Sequence, residues 1–135
     1  MDEDELKQRT KRFSLHVMKL VAALPNSVHG RAIGGQLVRS GTSVGANYRA
    51  ACRGRSKSEF IAKLGTVEEE ADESAFWLEL IIEGGLLEKK LVEPLLHEAN
   101  ELVAIMAASR RSASGVKLKD VSKAQFKIAN RQSQI

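Results

Sequence analysis

The sequence of 135 residues is poor in the residue types that staple small proteins or build β-sheets. The single cysteine, Cys52, excludes an internal disulfide framework and any zinc site made from several cysteines. Four phenylalanines, one tyrosine and one tryptophan are too few aromatic residues for the strands of a sandwich or barrel. No apolar run approaches the ~20 residues of a membrane span, and the acidic start Asp2-Glu3-Asp4-Glu5 differs from a signal peptide's basic start. We therefore expect one cytoplasmic domain.

Acidic residues are also absent from Leu6 to Ser58. The formal net charge of +4 hides a segregation, because residues 1–55 carry +6, residues 56–101 carry −8 and residues 102–135 carry +6. In a helical bundle, neighbouring basic and acidic helices can neutralise one another. Alternatively, one basic face stays open to an anionic partner. The sequence leaves both interpretations open.

Apolar periodicity predicts four helices, over about residues 4–24, 27–53 and 58–83 and in a fourth segment with Pro94 in its first turn. Short connections predict an all-α, antiparallel up-down-up-down four-helix bundle spanning residues 1–112. Ser112 to Gly115 is expected to be a linker, and residues 113–135 a flexible basic tail. The clearest pattern is the third helix, whose predicted seam is Phe60, Leu64, Val67, Ala71, Ser74, Leu78 and Ile81.

The second predicted helix is rich in glycine, which favours close approach of another backbone. Its apolar stripe is Gly34, Leu37, Gly41, Val44 and Tyr48, and an adjacent polar stripe is Ser40, Ser43 and Asn47.

Candidates for catalysis are weak. His16, His29 and His97 lie on three different segments, and Cys52 has no histidine at helical spacing, so we predict no enzyme and no cofactor. The acidic run from Glu68 to Glu73 could suggest a metal site, but no Glu-x-x-His accompanies it. We favour instead an ion pair that joins Glu70 or Glu73 to Arg39 or Arg49, fixes the helix register and costs a few kcal/mol to break.

The remaining functional candidate is a set of bases that could track a phosphate backbone. Only Tyr48 is available for base stacking, so binding to RNA or DNA would be electrostatic, weakly selective and steeply salt-dependent. The predicted phosphate contacts are Arg12, Arg49, Arg53, Arg55, Lys57, Arg110 and Arg111.

Two segments resemble a known family. The run from Gln36 to Arg49, QLVRSGTSVGANYR, is similar to the Q-L-x-R-S-x-x-S-[IV]-x-A-N signature of the four-helix-bundle proteins encoded in 23S rRNA intervening sequences. The segments 55–61 and 71–80 look like the third helix of that family. The resemblance implies a ring-like homopentamer without known catalytic activity. It also extends to the accessory protein of diversity-generating retroelements, which assists a reverse transcriptase and contacts nucleic acid. With this family in view, we interpret Arg39, Ser40, Ser43, Asn47, Glu70 and Glu73 as structural residues, the polar side chains bonding to nearby backbone or to the carboxylates of the third helix.

These observations leave two main functional hypotheses, beside the weaker option of a metalloenzyme that uses the Glu68–Glu73 cluster. The first is a non-enzymatic, oligomeric nucleic-acid-binding protein or accessory factor to an enzyme such as a reverse transcriptase. The second is a protein–protein adaptor in which the basic helices of one subunit meet the acidic third helix of the next.

Overall fold

A computed structural model of the chain describes residues 1–115, so the predicted tail lies outside the described residues from position 116 onward. The described part consists of four helices, α1 (Glu3–Ala22), α2 (Val28–Cys52), α3 (Lys57–Glu83) and α4 (Lys89–Ser114). Each helix packs against the next, and α4 packs back against α1. The predicted antiparallel four-helix bundle is therefore confirmed. None of these four helices combines the length and the apolar character that crossing a bilayer requires.

Side-chain caps start the first three helices. Asp2, Ser27 and Ser56 each accept a hydrogen bond from the backbone N–H three residues later, at 2.8, 3.0 and 3.1 Å. Ser56 is thus the N-cap of α3. Glu59 reaches back and accepts a hydrogen bond from the backbone N–H of Arg55 at 3.1 Å, which fixes the bend between α2 and α3.

The core follows the predicted stripes closely. On α3, every seam residue from Leu64 to Ile81 is buried, and Phe60 packs against the core from a half-buried position. On α4, the buried residues are Val92, Leu95, Ala99, Leu102 and Met106. Thr10 is buried on α1 although it is polar, because its hydroxyl donates to the Leu6 carbonyl at 2.8 Å.

The two ends of α4 differ from the prediction. The helix begins at Lys89, which places Pro94 in the second turn rather than the first. The missing N–H of proline removes one bond, to the carbonyl four residues earlier, and the neighbouring helices hold the turn in place. The predicted linker is helical from Ser112 to Ser114, and the helix stops at Gly115, whose φ of 78° is left-handed.

α1 and α2 approach each other closely where α2 carries glycine. A Cβ at Gly41 would lie 2.7 and 2.8 Å from the two methyl carbons of Val17. The Ser14 hydroxyl donates across this contact to the Gly41 carbonyl at 2.9 Å. This packing fixes the register of the α1–α2 hairpin, and with it the side chains that face one another across the two helices.

Candidate nucleic-acid interface

A basic groove runs along the surface between α1 and α2, near the end of the bundle where α2 turns into α3. Its volume is about 390 Å³. The walls are Lys7 and Lys11 on α1, Arg49 on α2 and Arg53 at the C-cap of α2, and no carboxylate of residues 1–115 lines the groove. The remaining lining residues are small or polar: Gln8, Ser14, Thr42, Gly45 and Ala46. The groove is therefore a strip of positive charge on a floor of small side chains.

The antiparallel register brings these four bases together. Val17 lies against Gly41 and Thr10 against Gly45, so Lys7 and Lys11 fall opposite the last two turns of α2. Lys7 also lies 3.4 Å from a carboxylate oxygen of Glu3 on its own helix. Lys11, Arg49 and Arg53 have no carboxylate within 4.0 Å in residues 1–115.

The other predicted phosphate contacts are dispersed around the bundle. Arg55 and Lys57 continue from the groove into the bend between α2 and α3, where both are exposed. Arg12 faces a different groove, between α1 and α4. Arg110 donates to Glu68 at 2.9 Å, and Arg111 lines a groove between α3 and α4. The seven candidates therefore do not form one surface, and Arg49, Arg53, Arg55 and Lys57 are the members that stay together.

Lys7 and Lys11 are not among the predicted phosphate contacts, although both belong to the stretch without acidic residues. The spacing of the bases along the sequence does indicate that Lys7 and Lys11 belong to this surface. Once the turn after Leu24 is assigned, an antiparallel pairing of α1 with α2 places position 7 near position 49. The spacing of Lys7 and Lys11 matches that of Arg49 and Arg53, because both pairs are one helical turn apart.

Arg39 joins the two carboxylates that were predicted as its alternatives. It contacts Glu70 at 3.3 Å and also pairs with Glu73. The Arg39 side chain is 47% exposed and that of Glu73 is 41% exposed. Glu70 is more buried, at 23% exposed. Exposed pairs contribute about 0–1 kcal/mol, so we expect breaking the Arg39–Glu73 pair to cost less than the few kcal/mol predicted from the sequence. Arg49 takes no part in this cluster.

The polar stripe of α2 bonds mainly within its own helix. Ser43 donates to the Arg39 carbonyl at 2.7 Å, and Asn47 donates to the Ser43 carbonyl at 2.9 Å. Ser40 is buried, and its hydroxyl lies 2.8 Å from that of Ser74 on α3, which in turn donates to the Glu70 carbonyl. Within this polar stripe, and among residues 1–115, Ser40 is therefore the member that bonds to α3, and it does so through a hydroxyl rather than a carboxylate.

The histidines and the cysteine considered for catalysis are not brought together in the described part of the chain. Burial raises the pKa of the half-buried Cys52 thiol, which opposes formation of the nucleophilic thiolate. Burial, with a hydrogen bond to Cys52, also raises the pKa of Tyr48. His97 lies 3.3 Å from Glu101, whereas His16 is on α1 and His29 at the start of α2, so the three histidines remain apart. In the described part of the chain, no three His, Cys, Asp or Glu side chains group as metal ligands.

An acidic groove lies between α3 and α4, on the opposite side of the bundle from the basic groove. Its volume is about 700 Å³. Desolvation raises the pKa of Glu79, and the neighbouring charges of Glu83 and Asp72 raise it further. Lys89 and Arg111 are the bases in the lining, and the carboxylates are Glu68, Asp72, Glu79, Glu83 and Glu93. The segregated charges of the sequence thus become two opposed surfaces.

Comparison with known proteins assigns the family. The sequence model described as 23S rRNA-intervening sequence protein matches residues 2–108. The chain belongs to this family. A solved protein of unknown function from the S23 ribosomal protein family of Bacteroides thetaiotaomicron is 29% identical to it, with a TM-score of 0.74, and the match covers 78% of this chain and 98% of that chain. No curated protein matches this chain. The family description of 23S rRNA-intervening sequence proteins names no enzymatic activity.

Proposed function

We propose that this protein is a cytoplasmic, non-enzymatic bundle that binds RNA or DNA through the basic groove between α1 and α2. The observation that carries the proposal is the lining of that groove, which brings together Lys7, Lys11, Arg49 and Arg53 and includes no carboxylate of residues 1–115. Of the four cations, Lys7 is the one that also has a carboxylate neighbour, Glu3 on its own helix. Four cations on two facing helices suit a phosphate backbone, and Arg55 and Lys57 extend the same strip. The proposal includes a role as an accessory factor to a nucleic-acid enzyme such as a reverse transcriptase.

The expected binding is strong at low salt and weakly selective for sequence. The groove offers no aromatic side chain for base stacking, and its lining reads phosphates rather than base edges. If all four cations contact phosphates of a duplex, the slope of log affinity against log salt is about −3.6. Affinity should then fall about 150-fold between 50 and 200 mM salt, on the order given by that slope.

The test is the double variant Arg49→Gln/Arg53→Gln, measured by fluorescence anisotropy with labelled duplex RNA and duplex DNA at several salt concentrations. Both side chains are exposed, so the fold should persist. The salt slope should become shallower by about 1.8, because two phosphate contacts are lost. The matched control is Lys89→Gln/Lys90→Gln, which removes the same charge at the start of α4. The proposal would be refuted if both variants lost the same affinity, or if Arg49→Gln/Arg53→Gln left the salt slope unchanged.

A second candidate function is self-assembly through opposite charges. The basic and acidic grooves lie on opposite sides of one bundle, so the basic face of one copy can meet the acidic face of the next. A head-to-tail contact of this kind closes into a ring when the rotation permits, which fits the homopentamer implied by the family resemblance. This interface would make the protein an assembly module rather than a nucleic-acid binder.

Light scattering on the same samples separates the two candidates. If the charged faces join the subunits, raised salt and the Arg49→Gln/Arg53→Gln variant should both lower the molar mass, and nucleic acid should compete with assembly. A molar mass that neither change affects would exclude assembly through the basic groove. It would leave that groove open to phosphates.

A further inference from the structure

A third groove, between α1 and α4, is used by neither proposed function. Its volume is about 580 Å³. It extends along α1 from Arg9 to Leu20, a rise of about 17 Å. α1 and α4 pack less extensively than the other neighbouring helices, which leaves this seam open. The apolar residues that line it are Phe13, Leu20, Ala23, Leu87, Leu91, Pro94 and Leu95.

The edge of this groove is positive. Arg12, His16 and Lys19 line it from α1, and neither Arg12 nor Lys19 has a carboxylate within 4.0 Å among the described residues. The one carboxylate in the lining, that of Glu98, is occupied by Arg9 through hydrogen bonds of 2.7 and 2.8 Å. An incoming ligand therefore meets an apolar strip beside unneutralised cations.

A large apolar side chain is exposed within the groove itself. Leu91 is 56% exposed, and it lies with Pro94 and Leu95 in the lining. An exposed leucine within a continuous apolar strip marks an interaction surface more often than a scattered single residue does. A nucleic acid would leave these side chains uncovered, so the chemistry differs from that of the basic groove.

We propose that the α1/α4 groove binds an acidic amphipathic helix of a partner protein. Leucine-type side chains of that helix would insert between α1 and α4, and its carboxylates would lie against Arg12 and Lys19. Three to four helical turns of the partner cover the length of the groove, since each turn rises about 5.4 Å. Residues 116–135 of this chain carry five bases and one acid, so charge disfavours that segment as the occupant.

The test uses the full chain and a labelled synthetic peptide of about 14 residues, with leucine on one helical face and glutamate elsewhere. Fluorescence anisotropy should show saturable binding. Leu91→Glu and Lys19→Glu should each weaken it about tenfold or more, because they place a like charge against the peptide. The matched control is Val28→Glu, at an apolar position that is 70% exposed and lies outside the groove. Circular dichroism checks that each variant remains helical.

Four outcomes would overturn the proposal. Equal binding of a peptide with lysine in place of glutamate would show that the positive edge does not select the ligand. Loss of binding in Arg49→Gln/Arg53→Gln would move the site to the basic groove. A fall in molar mass on Leu91→Glu would identify a second copy as the occupant, and tighter peptide binding by Phe126→Glu would identify residues 116–135. Binding that only the two groove variants weaken supports the proposal.

Discussion

Gly41 tests whether close packing of α1 on α2 sets the geometry of the basic groove. The perturbation is Gly41→Ala, and Gly35→Ala on the same helix is its control. A Cβ at Gly35 would meet nothing within 4 Å, whereas one at Gly41 would lie 2.7, 2.8 and 3.0 Å from three carbon atoms of Val17. Val17 is fully buried, and a β-branched side chain on a helix has one strongly preferred rotamer, so it cannot turn away.

The two substitutions should change stability in opposite directions. Replacing an interior helical glycine by alanine stabilises a helix by up to about 1 kcal/mol, which is the whole effect expected at Gly35. At Gly41 the same gain is opposed by overpacking, which costs about 1–3 kcal/mol. We therefore expect Gly41→Ala to lower the free energy of unfolding by about 1 kcal/mol, and the two variants to differ by about 2 kcal/mol.

Urea denaturation followed by circular dichroism measures both variants, at one protein concentration because subunit association would add to stability. In a Val17→Ala background, the penalty of Gly41→Ala should shrink, since the two methyl groups that it meets are gone. Equal stabilisation by Gly35→Ala and Gly41→Ala would refute the reasoning. It would mean that α1 and α2 separate at no cost.

Two pH-dependent predictions follow from buried groups. Tyr48 is the only tyrosine, and burial raises its pKa, so tyrosinate absorbance should not appear near pH 10 but only as the protein unfolds. Because the unfolded chain loses this proton first, stability should fall as the pH rises above about 10, and reversible ionisation at pH 10 without unfolding would contradict this. Partial burial raises the pKa of Glu79, so its charged form destabilises the folded protein at pH 7. Glu79→Gln should therefore raise the free energy of unfolding at pH 7. This increase should fade toward pH 4.5, as the wild-type carboxyl becomes protonated. A gain in urea denaturation that does not vary with pH would refute that assignment.

The sequence predicts the fold well because local patterns and packing agree. The seam from Leu64 to Ile81 has the spacing of a bundle helix, and that helix is buried along the predicted line. The predicted ends of α1, α2 and α3 all fall within two residues of the observed ones. The misplaced ends belong to α4, where Pro94 lies in the second turn rather than the predicted first, and where the helix continues through the predicted linker to Ser114. Proline stops a helix only where the lost hydrogen bond outweighs packing, and packing is not visible in local sequence.

The candidate interface is less predictable. The pattern placed Arg49, Arg53, Arg55 and Lys57 in one region, and the structure keeps them together. It places Arg12, Arg110 and Arg111 on other surfaces. The packing of helices that are distant in sequence decides which surface a cation lies on and whether a carboxylate lies beside it. Arg110 illustrates this, since its partner Glu68 lies on α3, 42 positions away in the chain.

The sequence by itself determined four amphipathic helices, their order, and the segregation of charge that gives α2 no acidic residue. These features follow from the apolar periodicity and the composition of the sequence, which depend only on local chemistry. Only the tertiary structure decided that Lys7 and Lys11 join Arg49 and Arg53, that carboxylates collect on the opposite side, and that the α1/α4 seam stays open. The physical reason is register. The contact of Val17 with Gly41 sets which turns of the two helices face each other, and a shift of one turn would pair different charges.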